Sequence, residues 1–114
     1  MNNSNTPIFP PILKLNHKTH KTICLQEVVM LQGDINYTTF HLKNGKTIMI
    51  AHTLKYFEDQ LNKYGFMRVH RAFLVNPQYI LKYNEIGHTI EMDCNLTAQV
   101  SRRRIKEFNN YWDS

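Results

Sequence analysis

The sequence predicts a mainly β domain: an elongated arrangement of short antiparallel sheets with one central helix and one C-terminal helix. Three observations lead there. Strand-forming residues come in short runs, as in Val28–Leu31 and Tyr37–Leu42. Turn formers punctuate those runs at Gly33–Asp34, Asn44–Gly45, Asn84–Gly87 and Asp93–Asn95. Helical spacing of apolar residues occurs in only two places, after Thr53 and after Ser101.

Met1–Pro11 is rich in Asn, Ser and Pro and reads as a disordered leader, leaving 12–114 as one domain. Ile12–Asn16 alternates weakly, with Leu13 and Leu15 on one face, and the polar turn His17–His20 leads to Ile23–Leu25. Val28–Leu31 is a short apolar strand ending at Gly33–Asp34, and Tyr37–Leu42 is the next. Asn44–Gly45 predicts a two-residue type I′ hairpin turn, with Thr47–Ile50 as the return strand. Thr53 is placed to cap a helix whose apolar face holds Leu54, Phe57, Leu61 and Tyr64, closed by Gly65. Phe66–Val69 and Phe73–Val75 bracket His70–Arg71. Three further strands follow at Tyr79–Tyr83, His88–Met92 and Leu96–Val100. Ser101 is expected to cap the last helix through its hydroxyl, with Ile105, Phe108 and Trp112 as the apolar stripe. The pattern argues against a helix-turn-helix protein, which needs consecutive helices.

The chain has 114 residues, room for one core and not for separate catalytic and regulatory domains. Fourteen Lys and Arg against nine Asp and Glu give a formal charge of +5, which favours an anionic partner. Two cysteines, Cys24 and Cys94, are too few for a disulfide scaffold and read as small hydrophobes in a cytoplasmic protein. No signal peptide or membrane-length apolar run is present, so no membrane partner is expected. Catalysis is not expected either. No serine lies in a nucleophile-elbow pattern, the acidic residues are scattered, and no carboxylate or Cys completes a zinc set with His17 and His20. No cofactor or metal is called for.

The most informative segment is Ser101–Arg102–Arg103–Arg104. Three cations in the first turn of a helix oppose its dipole, at about 0.3–1 kcal/mol each. An anion at the site removes that penalty, so the segment reads as a phosphate clamp with one Arg free for a base edge. A solvated basic surface is the alternative. In Met67–Phe73, alternation sets Met67 and Val69 on one face, with Arg68 and His70 on the other. Arg71 falls where the strand ends, and His70 can instead serve the backbone. Asn36 and Tyr37 stand at a loop-to-strand junction, able to touch bases and phosphates or to form a plain turn.

Together these segments resemble the LytTR DNA-binding family, over about Leu13 to Trp112. Phe66–Met67–Arg68–Val69–His70–Arg71–Ala72–Phe73–Leu74–Val75–Asn76 is similar to the family's F-x-R-x-H-[RK]-[SG]-[FY]-[IL]-V-N signature. Val100–Ser101–Arg102–Arg103 resembles V-S-R-[RK], and Leu31–Tyr37 resembles I-E-[AG]-x-x-[ND]-Y, in the family's order. Gln32, Ala72 and Pro77 depart from the pattern without touching the basic residues. The resemblance implies a LytTR-like fold whose loops enter successive major grooves of bent duplex DNA, and a role as a bacterial transcription regulator. Carried over, Asn36 and Tyr37 lie in the first DNA-facing loop, Arg71 with His70 in the second, and Arg102 and Arg103 at the third, with Arg104 and Lys106 on phosphates. It also implies a response-regulator output role, with a receiver domain or sensor kinase outside this chain, and allows a dimer on repeated half-sites. The competing readings are an RNA-binding β-domain and a basic protein-interaction module.

Overall fold

Residues 11–16 and 21–114 are described by a computed structural model of the chain. They form ten strands in three antiparallel sheets with two α-helices. The expected leader and the turn His17–His20 lie outside the described residues. Pro11 alone of the leader is described, and its carbonyl accepts the Leu25 N–H at 2.9 Å.

β1 (Ile12–Asn16) and β2 (Lys21–Cys24) make a two-stranded sheet. The central sheet holds β3 (Val28–Asp34), β4 (Tyr37–Leu42), β5 (Thr47–Ile50), β6 (Met67–His70) and β7 (Phe73–Val75), in the order β5-β4-β3-β7-β6. Between β5 and β6 the chain leaves the sheet as α1 (Leu54–Leu61). β8 (Ile80–Asn84), β9 (Thr89–Met92) and β10 (Leu96–Gln99) form the third sheet, and α2 (Ile105–Asp113) ends the chain.

The run Val28–Leu31 is continuously apolar because β3 is buried on both faces. Val28 and Leu31 join Phe40, Leu54, Phe57, Leu61 and the β1–β2 leucines in a first core. Val29 and Met30 join Val69, Ile90, Ala98 and Phe108 in a second. A register shift between Val28 and Met30 lets two consecutive residues face the same core, where strict alternation would send them apart.

Two local expectations are corrected. Asn44 does not take positive φ; only Gly45 does, at 87°. The Gly45 N–H donates to Leu42 O and the Leu42 N–H to Lys46 O, both at 2.9 Å, so the connection has three residues rather than two. The geometry matches a type I turn closed by a left-handed Gly, with the Asn44 side chain accepting from the Lys46 N–H at 2.9 Å. Tyr64 does not extend the α1 stripe. The helix ends at Leu61, a 3₁₀ turn covers Asn62–Tyr64, and Tyr64 is exposed. Thr53 does cap α1, accepting from the Tyr56 N–H at 3.3 Å, and Gly65 closes the turn at φ 91°.

Gly33 fixes how close α1 approaches β3. A Cβ added there would stand 2.8 Å from Leu54 Cβ, an atom rigidly tied to the helix backbone. Gly33→Ala is therefore expected to destabilise the fold by about 1–3 kcal/mol through overpacking. Urea unfolding checks this, and an unchanged midpoint contradicts the close approach.

Candidate nucleic-acid interface

Three connections meet on one side of the molecule. The first is the β3–β4 turn, where Asp34 pairs with Tyr37 and leaves Ile35–Asn36 at the tip. Ile35 has φ 28° and is 89% exposed. A β-branched residue in that region is strained, and such strain concentrates at functional loops. Asn36 and Tyr37 are exposed beside it.

The second connection is Arg71–Ala72, between β6 and β7, where His70 pairs with Phe73. Favoured two-residue hairpin turns need positive φ, and neither Arg71 nor Ala72 has it. Side chains hold this turn instead. Arg68 Nε donates to His70 O at 2.7 Å and another Arg68 nitrogen donates to Arg71 O at 2.6 Å. The remaining Arg68 nitrogen pairs with Glu58 Oε1 of α1 at 2.5 Å. His70 Nδ1 accepts the Ala72 N–H at 3.0 Å. With both turn carbonyls and the Ala72 N–H engaged, Arg71 is left exposed at the tip.

The third connection, Ser101–Arg104, runs from β10 into α2. Ser101 does not cap the helix through its hydroxyl. Arg102–Arg104 form a 3₁₀ turn, and α2 begins only at Ile105. Backbone groups define the turn: the Ser101 N–H donates to Val69 O at 2.8 Å, and Ser101 O accepts the Arg104 N–H at 2.9 Å. The arginines are thus aimed by their anchorage to β6, which a side-chain motif cannot reveal. Arg104 donates to Arg68 O at 3.2 Å and is partly covered, whereas Arg102, Arg103 and Lys106 are exposed.

The segment 68–72 ties all three connections together, since the Ala72 carbonyl also accepts the Gly33 N–H at 2.9 Å. Two adjoining clefts mark the result. One, of about 440 Å³, is bordered by Asp34, Ile35, Lys55, Arg68 and Arg71. The other, of about 460 Å³, is bordered by Lys55, Glu58, His70, Arg71, Ser101 and Arg103. Of the residues expected from sequence, His70, Arg71, Arg103 and Arg104 border the second cleft, whereas Asn36 and Tyr37 border neither and only follow Ile35 of the first in the chain. Arg102 and Lys106 border neither cleft and extend the basic surface along the start of α2.

Sequence reasoning did not select Lys55, Glu58 or Arg68 for the site. For Lys55 the signal was present: a cation in the first turn of a helix with no acid there, the feature that singled out the arginines. Glu58 had none, because its partner lies ten residues ahead across a turn of structure. Among the described residues no three His, Cys, Asp or Glu side chains cluster as metal ligands. Nor, among these residues, is any helix long and apolar enough to cross a membrane.

His70 is held below its ordinary pKa of 6.5, by burial first and then by Arg71 and Arg68. The neutral ring is the form that accepts from Ala72, and protonation turns that acceptor into a donor facing a donor. A folded pKa below the unfolded one means the folded state binds fewer protons. The stabilisation is complete above pH 6.5 and is lost as pH falls through the lower folded value. His41 is also lowered by burial and acts with the same sign. The difference between the pH–stability profiles of the wild type and His70→Gln isolates the His70 share. Identical slopes below pH 6.5 contradict the bond to Ala72.

Fold and site together define a β module that presents cations on loops, with no helix-turn-helix among the described residues. The family model for the LytTr DNA-binding domain matches residues 18–113. The chain belongs to that family, and with it to the DNA-binding domains of transcription regulation. Among solved structures it is similar to the LytTr DNA-binding domain of a Bacillus cereus protein named as a methyl-accepting/DNA response regulator. That likeness has a TM-score of 0.72 at 22% identity and covers 90% of this chain and 97% of the other. At that identity it speaks for the fold, which is the mainly β arrangement of short sheets and two helices expected from the sequence. No curated protein matches the sequence.

Proposed function

We propose that the chain binds double-stranded DNA sequence-specifically and regulates bacterial transcription from the cytoplasm, reading successive major grooves with its three loops. The observation that carries this is the convergence of the Gly33–Ile35, His70–Ala72 and Ser101–Arg104 segments on one face, tied through 68–72. Three separate projections suit a grooved duplex better than a flat anionic surface, because each can enter a groove while the cations between them meet phosphates. Arg71 and Arg103 are the base readers, with Asn36 and Tyr37 at the first loop and His70 shaping the second. Arg102, Lys106 and Lys55 contact phosphates. Arg104, partly spent on the Arg68 carbonyl, steadies the third loop and lends its charge. No side-chain set for catalysis or a cofactor enters this reading.

The Bacillus cereus relative is named for a response regulator, which supports an output role under a receiver domain or sensor kinase carried outside this sequence. Two copies on repeated half-sites would lengthen the contacted DNA in the manner of dimeric regulators.

Selection from a random duplex library, followed by titration of the selected site in increasing salt, tests the proposal. The expected result is one enriched sequence, bound with a steep linear fall of log affinity against log salt as arginines and lysines displace counterions. No enrichment, or an affinity indifferent to salt, refutes it.

A further inference from the structure

Glu58 lies on α1, outside all three DNA-facing loops, and carries the wrong charge for a DNA-binding surface. It nonetheless borders the cationic cleft, beside Lys55, Arg68, Arg71, Arg103 and Arg104. A carboxylate there repels phosphate and lowers the attraction of the face for any nucleic acid. Its presence there is accounted for by a compensating role, which the geometry supplies.

Arg68 has a planar guanidinium with a fixed fork of donors. Two of its nitrogens are aimed at the carbonyls of His70 and Arg71, 2.7 and 2.6 Å away. Those carbonyls belong to a turn whose backbone lacks the positive φ that would hold it unaided. The third nitrogen meets Glu58 Oε1 at 2.5 Å, in a pair whose side chains are only 14% and 22% exposed. Glu58 therefore fixes the plane of the guanidinium, and the plane fixes the turn. The same strand segment receives the third loop through Val69 O and Arg68 O.

We infer that Glu58 is a positioning residue for DNA recognition: through Arg68 it sets the Arg71 turn, trading general affinity for sequence preference. This rests on the proposed duplex-DNA function, which the wild-type library selection tests by itself.

Two opposite effects make the inference decidable. If Glu58 acted only as a charge, its removal would strengthen binding to every duplex alike. If it positions the turn, removal weakens the selected site relative to random DNA. The experiment titrates wild type, Glu58→Ala and Glu58→Gln against the selected duplex and a random duplex at fixed salt. Each titration is run well below the melting temperature measured for that variant. Glu58→Ala is expected to lower the selected-to-random ratio about 3- to 30-fold, while random-duplex affinity holds or rises. Glu58→Gln keeps an amide oxygen to accept from Arg68 and is expected to recover most of the ratio. A preserved ratio in Glu58→Ala, with both affinities raised together, overturns the inference. Equal loss of the ratio in Ala and Gln variants overturns it as well, since the acceptor would then be irrelevant. A wild type that prefers no duplex would instead remove the underlying function, an outcome distinct from either.

Discussion

Arg68→Ala is expected to destabilise the domain by about 2–4 kcal/mol and to abolish preference for the selected DNA site. The two consequences have one origin. Removing the guanidinium leaves the half-buried Glu58 carboxylate without its partner and releases the carbonyls of His70 and Arg71. The carboxylate's lost pairing supplies most of the stability cost, because an uncompensated, partly desolvated charge is dearer than a lost neutral hydrogen bond. The released turn costs recognition: Arg71 must then be ordered on docking, and the third loop loses its fixed seat on Arg68 and Val69. Arg68→Lys restores the charge but not the fork, so it should recover part of the stability and little of the preference. Chemical denaturation and duplex titration of the three proteins provide the check. A normal sequence preference in Arg68→Ala would show that the turn holds without its clamp.

The second large effect is expected from the exposed arginines. Arg103→Ala should lose about 1–3 kcal/mol of specific binding and relax preference at one position of the site, the signature of a lost bidentate contact to a guanine edge. Arg71→Ala should do the same at a different position, because the two residues stand on different loops. Combined, the losses should depart from strict additivity, since both residues border one cleft and the third loop is seated on the Val69 carbonyl of β6. Lys106→Ala is the contrast: exposed on α2 and in no ion pair among the described residues, it should weaken all duplexes alike and lower the salt slope by about one. Indistinguishable behaviour of Arg103→Ala and Lys106→Ala would erase the division between base reader and phosphate contact.

Much of this was legible in the sequence because local chemistry and tertiary structure agree. The β strands announced themselves through β-branched runs between turn formers, and Thr53 and Gly65 bounded the α1 region as capping rules require. The cationic segment was legible too, since three arginines after Ser101 oppose the pattern expected of a helix start. Part of what failed depended on partners distant in sequence. Ser101 has the residue type of a cap, but its backbone is claimed by Val69, thirty-two positions earlier, and the chain turns through a 3₁₀ turn before α2 starts. The type I′ turn expected at Asn44–Gly45 lost to a three-residue loop in which the Asn side chain bonds the backbone instead of the residue taking positive φ. Asn76 shows the same limit. Its amide donates to Val28 O across the sheet at 2.9 Å while its oxygen accepts the Gln78 N–H, a buried bridge that the motif spelled without explaining. The following Pro77 starts a 3₁₀ turn, a place that needs no N–H donor.

We propose above that the three tied loops form the DNA-binding face. Backbone amide chemical-shift mapping during titration with the selected duplex tests it most directly. Perturbations are expected to concentrate in residues 34–37, at Lys55, in residues 68–72 and in residues 101–106, with the β1–β2 sheet and the β5 edge unmoved. Perturbations centred on the β1–β2 sheet or the β5 edge, with the Arg71 and Arg102–Arg104 turns silent, would contradict it.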